Sequence, residues 1–237
     1  MLARVRQDQL PQPESSLLLG QAHEGAGDPV SAAVHYQKVF FGYPFSDEEP
    51  EARAALSRLE QELGERFPPA MPQARLERAQ KLLDGKQAGR AQDEYERMIP
   101  LLGGLERDRA RVRVAAADYY ARKTGAALDA LQDLRVENPE ADAERLYYIV
   151  LCLRRLDRES EMLAAVNEMG RRTPTSVWRQ KALLMAANSL LVKNEAAAYT
   201  PLYRACADVA PESEDAAHCH WKVVWRSYLE RRPSALG

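Results

Sequence analysis

Hydrophobic positions repeat along this chain with a period of about 35 residues. In each repeat, large apolar residues alternate with small ones in the spacing of two neighbouring amphipathic helices. Ala, Leu, Arg and Glu recur throughout, and runs of β-branched residues are nearly absent. These residue types favour helix over strand. The pattern therefore predicts an all-α protein built from repeated helix pairs.

The clearest copy of the pattern begins at Pro13. Gly20 and Ala32 occupy the two small positions at which paired helices approach, and Tyr36 occupies the aromatic position of the second helix. This is the tetratricopeptide pattern, a helix pair of about 34 residues. The turn is also suitable: Gly27 can end the first helix, Asp28 can cap the second, and Pro29 can occupy its first position.

Four further copies follow. Their pattern residues are Ala79, Leu82, Ala91, Tyr95 and Met98; Ala115, Ala127, Leu131, Leu134 and Pro139; Leu146, Ile149, Val150, Leu153, Val166, Met169 and Pro174; and Leu183, Ala187, Leu190, Tyr203, Cys206 and Pro211. Five copies predict an all-α superhelical solenoid of tetratricopeptide-like helix pairs.

This register predicts four segments. Residues 1–14 are an irregular leader, and residues 15–64 hold the first pair plus an extra helix from Asp47 to Leu63. Ser46 and Glu49 have the spacing of a capping box for that helix, and Gly64 ends it. Residues 65–73 form a proline-rich hinge. Residues 74–237 form a tetratricopeptide-like superhelix, truncated in the middle of a repeat.

Two features interrupt the pattern near the end of the chain. Pro201 falls inside a second helix and predicts a kink, or a restart with Thr200 as the cap. A sixth first helix, from about Glu214 to Arg231, carries Trp221, Trp225 and Tyr228 as a stripe at i, i+4 and i+7. Its partner would begin near Ala235. We expect part of the stripe to pack on the fifth copy and the rest to be wet, as a docking surface for a missing C-terminal part.

Composition excludes several classes of function. The net charge of −2 and an isoelectric point near 6.2 do not indicate nucleic-acid binding. The row Arg107, Arg109, Arg111 and Arg113 is spread around a helix and predicts a solvated surface. Cys152, Cys206 and Cys219 form no CxxC pair, so each is interpreted as a small buried residue. We find neither a signal peptide nor an apolar run long enough to span a membrane, which alone indicates the cytoplasm.

The sequence shows no combination of residues with the spacing of a catalytic or metal-binding site. His218, Cys219 and His220 are adjacent and so point about 100° apart on a helix, whereas helical metal ligands need spacings of three or four. His23–Glu24 opens like a zinc-protease motif, but its second histidine is absent because residue 27 is Gly. We therefore predict no catalytic, cofactor-binding or metal-binding residue in this chain.

Three passages resemble the N-terminal α-superhelical region of soluble lytic murein transglycosylases. They are residues 32–52, residues 143–188 with the AERLYY and PTSVW strings, and residues 217–232, AHCHWKVVWRSYLERR. The resemblance implies a periplasmic enzyme that cleaves peptidoglycan to 1,6-anhydro ends through a lysozyme-like C-terminal domain with a Glu-Ser motif. The helical part would hold that domain and help engage glycan strands.

This chain lacks any stretch like that catalytic domain. The dipeptide Glu159–Ser160 lies inside the fourth repeat, so Glu159 is not transferred as a catalytic residue. The leading hypothesis is a non-catalytic scaffold region whose partners are peptidoglycan or its own downstream domain. The alternative is a standalone tetratricopeptide-like adaptor that binds a protein partner, in which case the cytoplasmic interpretation holds.

Overall fold

The structure is a computed structural model that describes residues 11–230. Over that range the chain is helical, with turns and no β-strand, which confirms the all-α prediction. The chain divides into two compact units, Met1–Met98 and Ile99–Gly237. Most of the predicted leader and the predicted start of the sixth second helix near Ala235 lie outside the described residues.

From residue 11 onward, unit 1 contains five α-helices. They are α1 (Glu14–Gly25), α2 (Pro29–Gly42), α3 (Glu49–Leu63), α4 (Pro72–Asp84) and α5 (Ala88–Met98). Helix α1 pairs with α2, α4 pairs with α5, and α2 also contacts α3 and α4. A short 3₁₀ helix, Gly64–Arg66, follows α3. The core between α1, α2 and α3 is built from small residues such as Ala32 and Ala52 beside larger ones such as Leu59.

Unit 2 begins with a 3₁₀ turn, Ile99–Leu101, and contains seven α-helices up to residue 230. They are α6 (Gly104–Tyr120), α7 (Thr124–Asp133), α8 (Pro139–Arg155), α9 (Glu159–Arg172), α10 (Val177–Val192), α11 (Ala196–Val209) and α12 (Glu214–Leu229). Consecutive helices pair as α6 with α7, α8 with α9 and α10 with α11, while α12 packs on α11 and α10. One continuous hydrophobic core connects these helices.

The same turn closes the first helix of all five pairs. A capping residue in helical geometry is followed by a residue with positive φ, and the next N–H bonds back across the turn to a carbonyl five residues earlier, as in a Schellman motif. The positive-φ residues are Gly27 (76°), Lys86 (61°), Arg122 (64°), Asp157 (56°) and Asn194 (59°). The turn predicted around Gly27 is confirmed, including the Asp28 cap on Ser31 N and Pro29 at the first helical position.

The hydrophobic repeat keeps a constant spacing from these turn residues. Counting along the sequence, a large buried residue follows each turn residue by nine positions: Tyr36, Tyr95, Leu131, Val166 and Tyr203. The predicted small position works as a close-approach site in the first pair. A Cβ atom added to Gly20 would lie 2.5 Å from Cε1 of Tyr36. The five pairs therefore share the same closing turn and the same spacing from it to a large buried residue.

The start of α3 differs from the prediction. The helix begins at Glu49 and the side chain of Glu48 makes no capping bond. The Ser46 hydroxyl is buried and has no hydrogen-bond partner among the described residues. Glu49 instead accepts hydrogen bonds from Arg78 Nη2 at 2.6 Å and Arg90 Nη2 at 3.1 Å. The predicted capping box is wrong because a buried arginine takes the glutamate carboxylate away from the helix end.

Of the two outcomes predicted at Pro201, a kink or a restart, the restart is wrong. The helix runs unbroken through Pro201. The Thr200 hydroxyl does not cap a new helix but donates to the carbonyl of Ala196, one turn back, at 2.8 Å. Pro201 is the sixth residue of α11, so the helix lacks the N–H that would bond to the carbonyl of Ala197, and the proline ring crowds that carbonyl.

The proline-rich segment 65–73 lies within unit 1. Gln37 on α2 donates to the carbonyl of Pro68 at 2.7 Å, and Lys81 on α4 donates to the carbonyl of Gly42 at 2.8 Å. These bonds tie the segment and α4 to α2. The division between the two units falls later in the chain, after Met98.

Candidate docking face on helix α12

Helix α12 is anchored at its N-terminus by one buried glutamine. Ser213 caps the helix by accepting the N–H of Ala216 at 3.1 Å. Gln180 on α10 is almost fully buried, and its Nε2 donates both to Ser213 Oγ at 2.8 Å and to the carbonyl of Cys206 at 3.1 Å. One side chain thus joins α10, the end of α11 and the start of α12.

The predicted aromatic stripe forms a ladder along α12. The ring centroids of Trp221 and Trp225 lie 6.0 Å apart with 13° between planes, and those of Trp225 and Tyr228 lie 5.6 Å apart with 24° between planes. The three side chains are 51%, 47% and 63% exposed, respectively. The structure therefore brings the predicted residues together, and about half of their surface meets solvent.

The packed side of α12 lies opposite the ladder. Ala216, Cys219 and Ser227 are buried, and they cluster on one side at about 100° per residue. The same arithmetic puts the ladder roughly half a turn away. An apolar helical stripe of this size is normally covered by a partner, whereas these three rings remain about half exposed.

Earlier pairs show which side of a first helix its partner covers. In three pairs the tyrosine of the second helix donates its hydroxyl to an acceptor on the first helix. These bonds join Tyr36 to Glu24 (3.0 Å), Tyr95 to Gln80 (3.1 Å) and Tyr203 to Asn188 (2.6 Å). Gln80 and Asn188 each precede the capping residue of their helix by five positions, and Glu24 precedes its capping residue by two.

Helix α12 ends in the same geometry as those first helices. Its capping residue Glu230 has φ −81° and ψ 0°, and its N–H bonds to the carbonyls of Arg226 and Tyr228. The capping residues of the five earlier first helices have φ between −90° and −73° and ψ between −3° and 8°. Trp225 precedes Glu230 by five positions and Tyr228 by two. Two of the three ladder residues, Trp225 and Tyr228, thus occupy positions that face the second helix in earlier pairs.

The cysteines require a correction. Cys206 on α11 and Cys219 on α12 form a disulfide, with their Cα atoms 6.1 Å apart. The interpretation of each cysteine as simply a small buried residue is right about burial, since both are fully buried, but wrong for this pair because they are bonded to each other. Their sequence separation of 13 gave no motif, and only the pairing of α11 with α12 brings them together. Cys152 remains a buried thiol, and burial raises its pKa to about 11.

The arginine row on α6 is engaged in ion pairs. Arg109 Nε and Arg113 Nε bond to the two carboxylate oxygens of Glu144 at 3.1 and 2.8 Å, and Glu144 is fully buried on α8. Arg111 lies 3.5 Å from Asp108. The predicted solvated surface is wrong for Arg109 and Arg113, which join α6 to α8 through the buried Glu144, whereas Arg111 keeps more than a third of its side chain exposed.

Neither a family model nor a curated protein matches the sequence of this chain. Among residues 11–230, no helix is both long and apolar enough to cross a membrane. The same residues contain no group of three or more His, Cys, Asp or Glu side chains arranged to hold a metal ion.

The motif-like residues are placed as ordinary surface and structural groups. His218 and His220 are exposed on either side of the buried Cys219. His23 lies 3.6 Å from Asp28 at the first turn, and its ring stacks on that of His35. Glu159 begins α9 and pairs with Lys193 at 2.5 Å.

Sequence reasoning missed a cleft in unit 1. It has a volume of about 640 Å³, and its lining includes Leu19, Val34, Phe41 and Met71 beside the buried His35. Burial, with smaller effects of nearby cations, lowers the pKa of His35, and its Nδ1 atom has no hydrogen-bond partner among the described residues. No spacing motif marks this cleft, because its walls come from α1, α2, α4 and the proline-rich segment.

Proposed function

We propose that this chain is the non-catalytic helical scaffold region of a peptidoglycan lytic transglycosylase. On this proposal it holds a downstream lysozyme-like domain and helps engage glycan strands. The proposal takes its family from the resemblance of residues 32–52, 143–188 and 217–232. It takes its structural support from the five equivalent helix pairs and from the aromatic ladder on α12.

The proposal includes the arrangement of the helix pairs, which we infer to be a tetratricopeptide-like superhelix. Five pairs closed by the same turn, with the same nine-residue spacing to a large buried residue, support a stack of equivalent units. In such stacks each pair contacts only its neighbours, and the terminal units normally carry a polar outer face. Helix α12 presents aromatic rings instead, which favours a further helical segment packed on it.

The single observation that carries the scaffold role is the register of the ladder. Trp225 and Tyr228 occupy the positions at which Gln80, Asn188 and Glu24 receive their second helices. Covering half-exposed aromatic rings of this size contributes on the order of 1–2 kcal/mol each. We therefore propose that the ladder, Trp221, Trp225 and Tyr228, is the docking surface for the following part of the same polypeptide.

The disulfide supports a periplasmic location. Disulfide bonds persist in oxidising compartments such as the periplasm and are rare in the reducing cytosol. Cys206 and Cys219 therefore fit the location that the family resemblance implies.

A digestion assay tests the catalytic assignment. Purified peptidoglycan is incubated with this chain alone and, separately, with the natural polypeptide that contains it, and the soluble products are analysed by mass spectrometry. We expect 1,6-anhydro-muropeptides only from the polypeptide that carries the downstream domain. Anhydro products from this chain alone would contradict a non-catalytic scaffold, and their absence from both samples would contradict the enzyme.

Variants of the ladder test the docking role in the natural polypeptide. Trp225→Ala and Tyr228→Ala should make the downstream part easier to release by limited proteolysis, whereas Leu18→Ala, which removes an exposed apolar side chain from α1, should not. Equal release of the downstream part from all three variants would show that the ladder does not contact it.

The second candidate is a standalone adaptor for a protein partner. The apolar cleft beside His35 favours this alternative, because pockets that bind peptides or small ligands are concave and mostly apolar. The two functions differ in what the isolated chain binds. Co-sedimentation with peptidoglycan supports the scaffold, whereas a complex reconstituted from this chain and one purified protein, with no affinity for peptidoglycan, supports the adaptor.

A further inference from the structure

The Cys206–Cys219 disulfide lies where it can control helix α12. It joins α11 to the packed side of α12, six residues after the capping Ser213. Both cysteines are 0% exposed. A reductant cannot reach either sulfur while α12 stays packed, so the bond becomes accessible only when α12 moves away.

Gln180 holds the same junction without a covalent bond. Its amide donates to the carbonyl of Cys206 and to the hydroxyl of Ser213, so it contacts the residue that bears one sulfur and the residue that starts α12. A glutamine buried to this extent is costly to leave unsatisfied. Its two hydrogen bonds therefore oppose the same opening motion that the disulfide opposes.

We propose that the Cys206–Cys219 bond and Gln180 form a redox-sensitive clamp that holds α12, and with it the aromatic ladder, against α10 and α11. The clamp does not depend on the proposed function, because it concerns only contacts within unit 2. Reduction and opening are coupled: opening exposes the sulfur atoms, and loss of the bond favours opening.

The chemistry is a thiol–disulfide exchange with a dithiol reductant. A thiolate of the reductant attacks one sulfur, the Sγ–Sγ bond breaks, and the leaving cysteine sulfur takes up a proton. The second thiolate of the reductant then attacks the reductant's own sulfur in the mixed disulfide, the bond to the cysteine breaks, and that cysteine sulfur takes up a proton. Both cysteines thus end as thiols and the reductant ends as a disulfide. The reverse exchange with an oxidised dithiol protein closes the clamp.

The third cysteine does not interfere with this exchange. Cys152 is fully buried on α8, and a thiol whose pKa is raised to about 11 contains little of the nucleophilic thiolate at neutral pH. The structure therefore separates one exchangeable pair from one inert thiol.

Limited trypsin digestion of the purified chain, before and after reduction with dithiothreitol, tests the clamp. Helix α12 contains the trypsin sites Lys222 and Arg226. The disulfide closes a loop between residues 13 positions apart, and such a cross-link makes the open state of α12 less favourable. We therefore expect cleavage at these sites to rise on the order of a hundredfold after reduction. Sites in unit 1, such as Lys81, should be cleaved at an unchanged rate.

Three variants separate the clamp from general stability. The Cys206→Ser/Cys219→Ser protein should show fast cleavage in α12 with or without reductant, and Cys152→Ala should behave as the parent. Gln180→Ala should speed reduction of the disulfide several-fold, whereas Gln92→Ala, at a partly exposed glutamine on α5, should not.

Three results would overturn the proposal. One is cleavage in α12 that is unaffected by reduction. Another is cleavage that rises equally at Lys81, which would mean that the bond supports the whole chain and not α12. The third is alkylation of three free thiols in the unreduced, denatured protein, which would show that the disulfide does not form.

Discussion

Replacing Gly20 with alanine tests whether the repeat really brings its helices together at the small position. The added Cβ would meet three ring atoms of Tyr36, Cε1 at 2.5 Å, Cδ1 at 2.7 Å and Cζ at 2.9 Å. Real Cβ contacts are essentially never this short, so the ring or the helix must shift. Tyr36 is buried and its hydroxyl donates to Glu24, which also binds Arg58.

The change in the free energy of unfolding that Gly20→Ala causes is the balance of opposing effects. Overpacking of this kind typically costs about 1–3 kcal/mol, and a displaced ring would also weaken a hydrogen bond to a carboxylate worth roughly 1.5 kcal/mol. Alanine regains about 1 kcal/mol over glycine in helix propensity. We expect Gly20→Ala to lower the free energy of unfolding by about 2 kcal/mol.

Gly25→Ala provides a matched control in the same helix. A Cβ atom at Gly25 meets nothing within 4 Å, so this variant should gain up to about 1 kcal/mol from helix propensity alone. Urea denaturation followed by far-UV circular dichroism measures both variants. Trp fluorescence is unsuitable because all three tryptophans lie in unit 2.

A double-mutant cycle identifies the cause. In a Tyr36→Leu background the ring is gone, so Gly20→Ala should lose most of its cost. If Gly20→Ala were as stable as the parent, or if its cost persisted after Tyr36→Leu, the close approach of α1 and α2 at this position would be refuted.

Further predictions concern the turns, the buried carboxylate and pH. Arg122→Gly should raise the free energy of unfolding by about 0.5–1 kcal/mol in urea melts, because φ is +64° there; a loss of stability would contradict the shared turn. Glu144→Gln should lower the free energy of unfolding by about 2 kcal/mol because it removes the charge paired with Arg109 and Arg113; an unchanged free energy of unfolding would mean that these ion pairs do not stabilise the fold. Burial lowers the pKa of His35 below 6.5, so the unfolded chain binds more protons; stability is full above pH 6.5 and falls as the pH drops from there toward the folded-state pKa. His35→Gln should remove that part of the pH dependence in urea melts and the exposed His220→Gln should not, and the same slope in both variants would exclude His35 as its source.

Local patterns predicted the parts of the fold that depend on local spacing. The turn at Gly27, the caps around it and the small residues at Gly20 and Ala32 follow from backbone sterics and helix packing, which act within one pair. The aromatic ladder was predictable for the same reason, because residues at i, i+4 and i+7 share one side of any helix.

Features that depend on contacts distant in sequence were not predictable. Ser46 and Glu49 have the spacing of a capping box, but Arg78, 29 residues later, takes the carboxylate. The disulfide and the double hydrogen bond of Gln180 arise only because α10, α11 and α12 pack together. Nothing in the spacing of these residues signals the contact.

The four non-glycine turn residues were hidden for a different reason. Lysine, arginine, aspartate and asparagine replace glycine in the left-handed conformation at Lys86, Arg122, Asp157 and Asn194. The repeated Schellman bonds hold the backbone there despite the steric cost. A search for glycine alone would find one of the five turns.

The most direct test of the scaffold proposal is to read the coding sequence beyond the codon for Gly237 to the next stop codon. The scaffold proposal predicts an open reading frame that continues through a helix able to cover Trp225 and Tyr228 and then into a lysozyme-like domain with a Glu-Ser motif. A stop codon immediately after Gly237 would contradict the scaffold role and leave the adaptor as the better explanation.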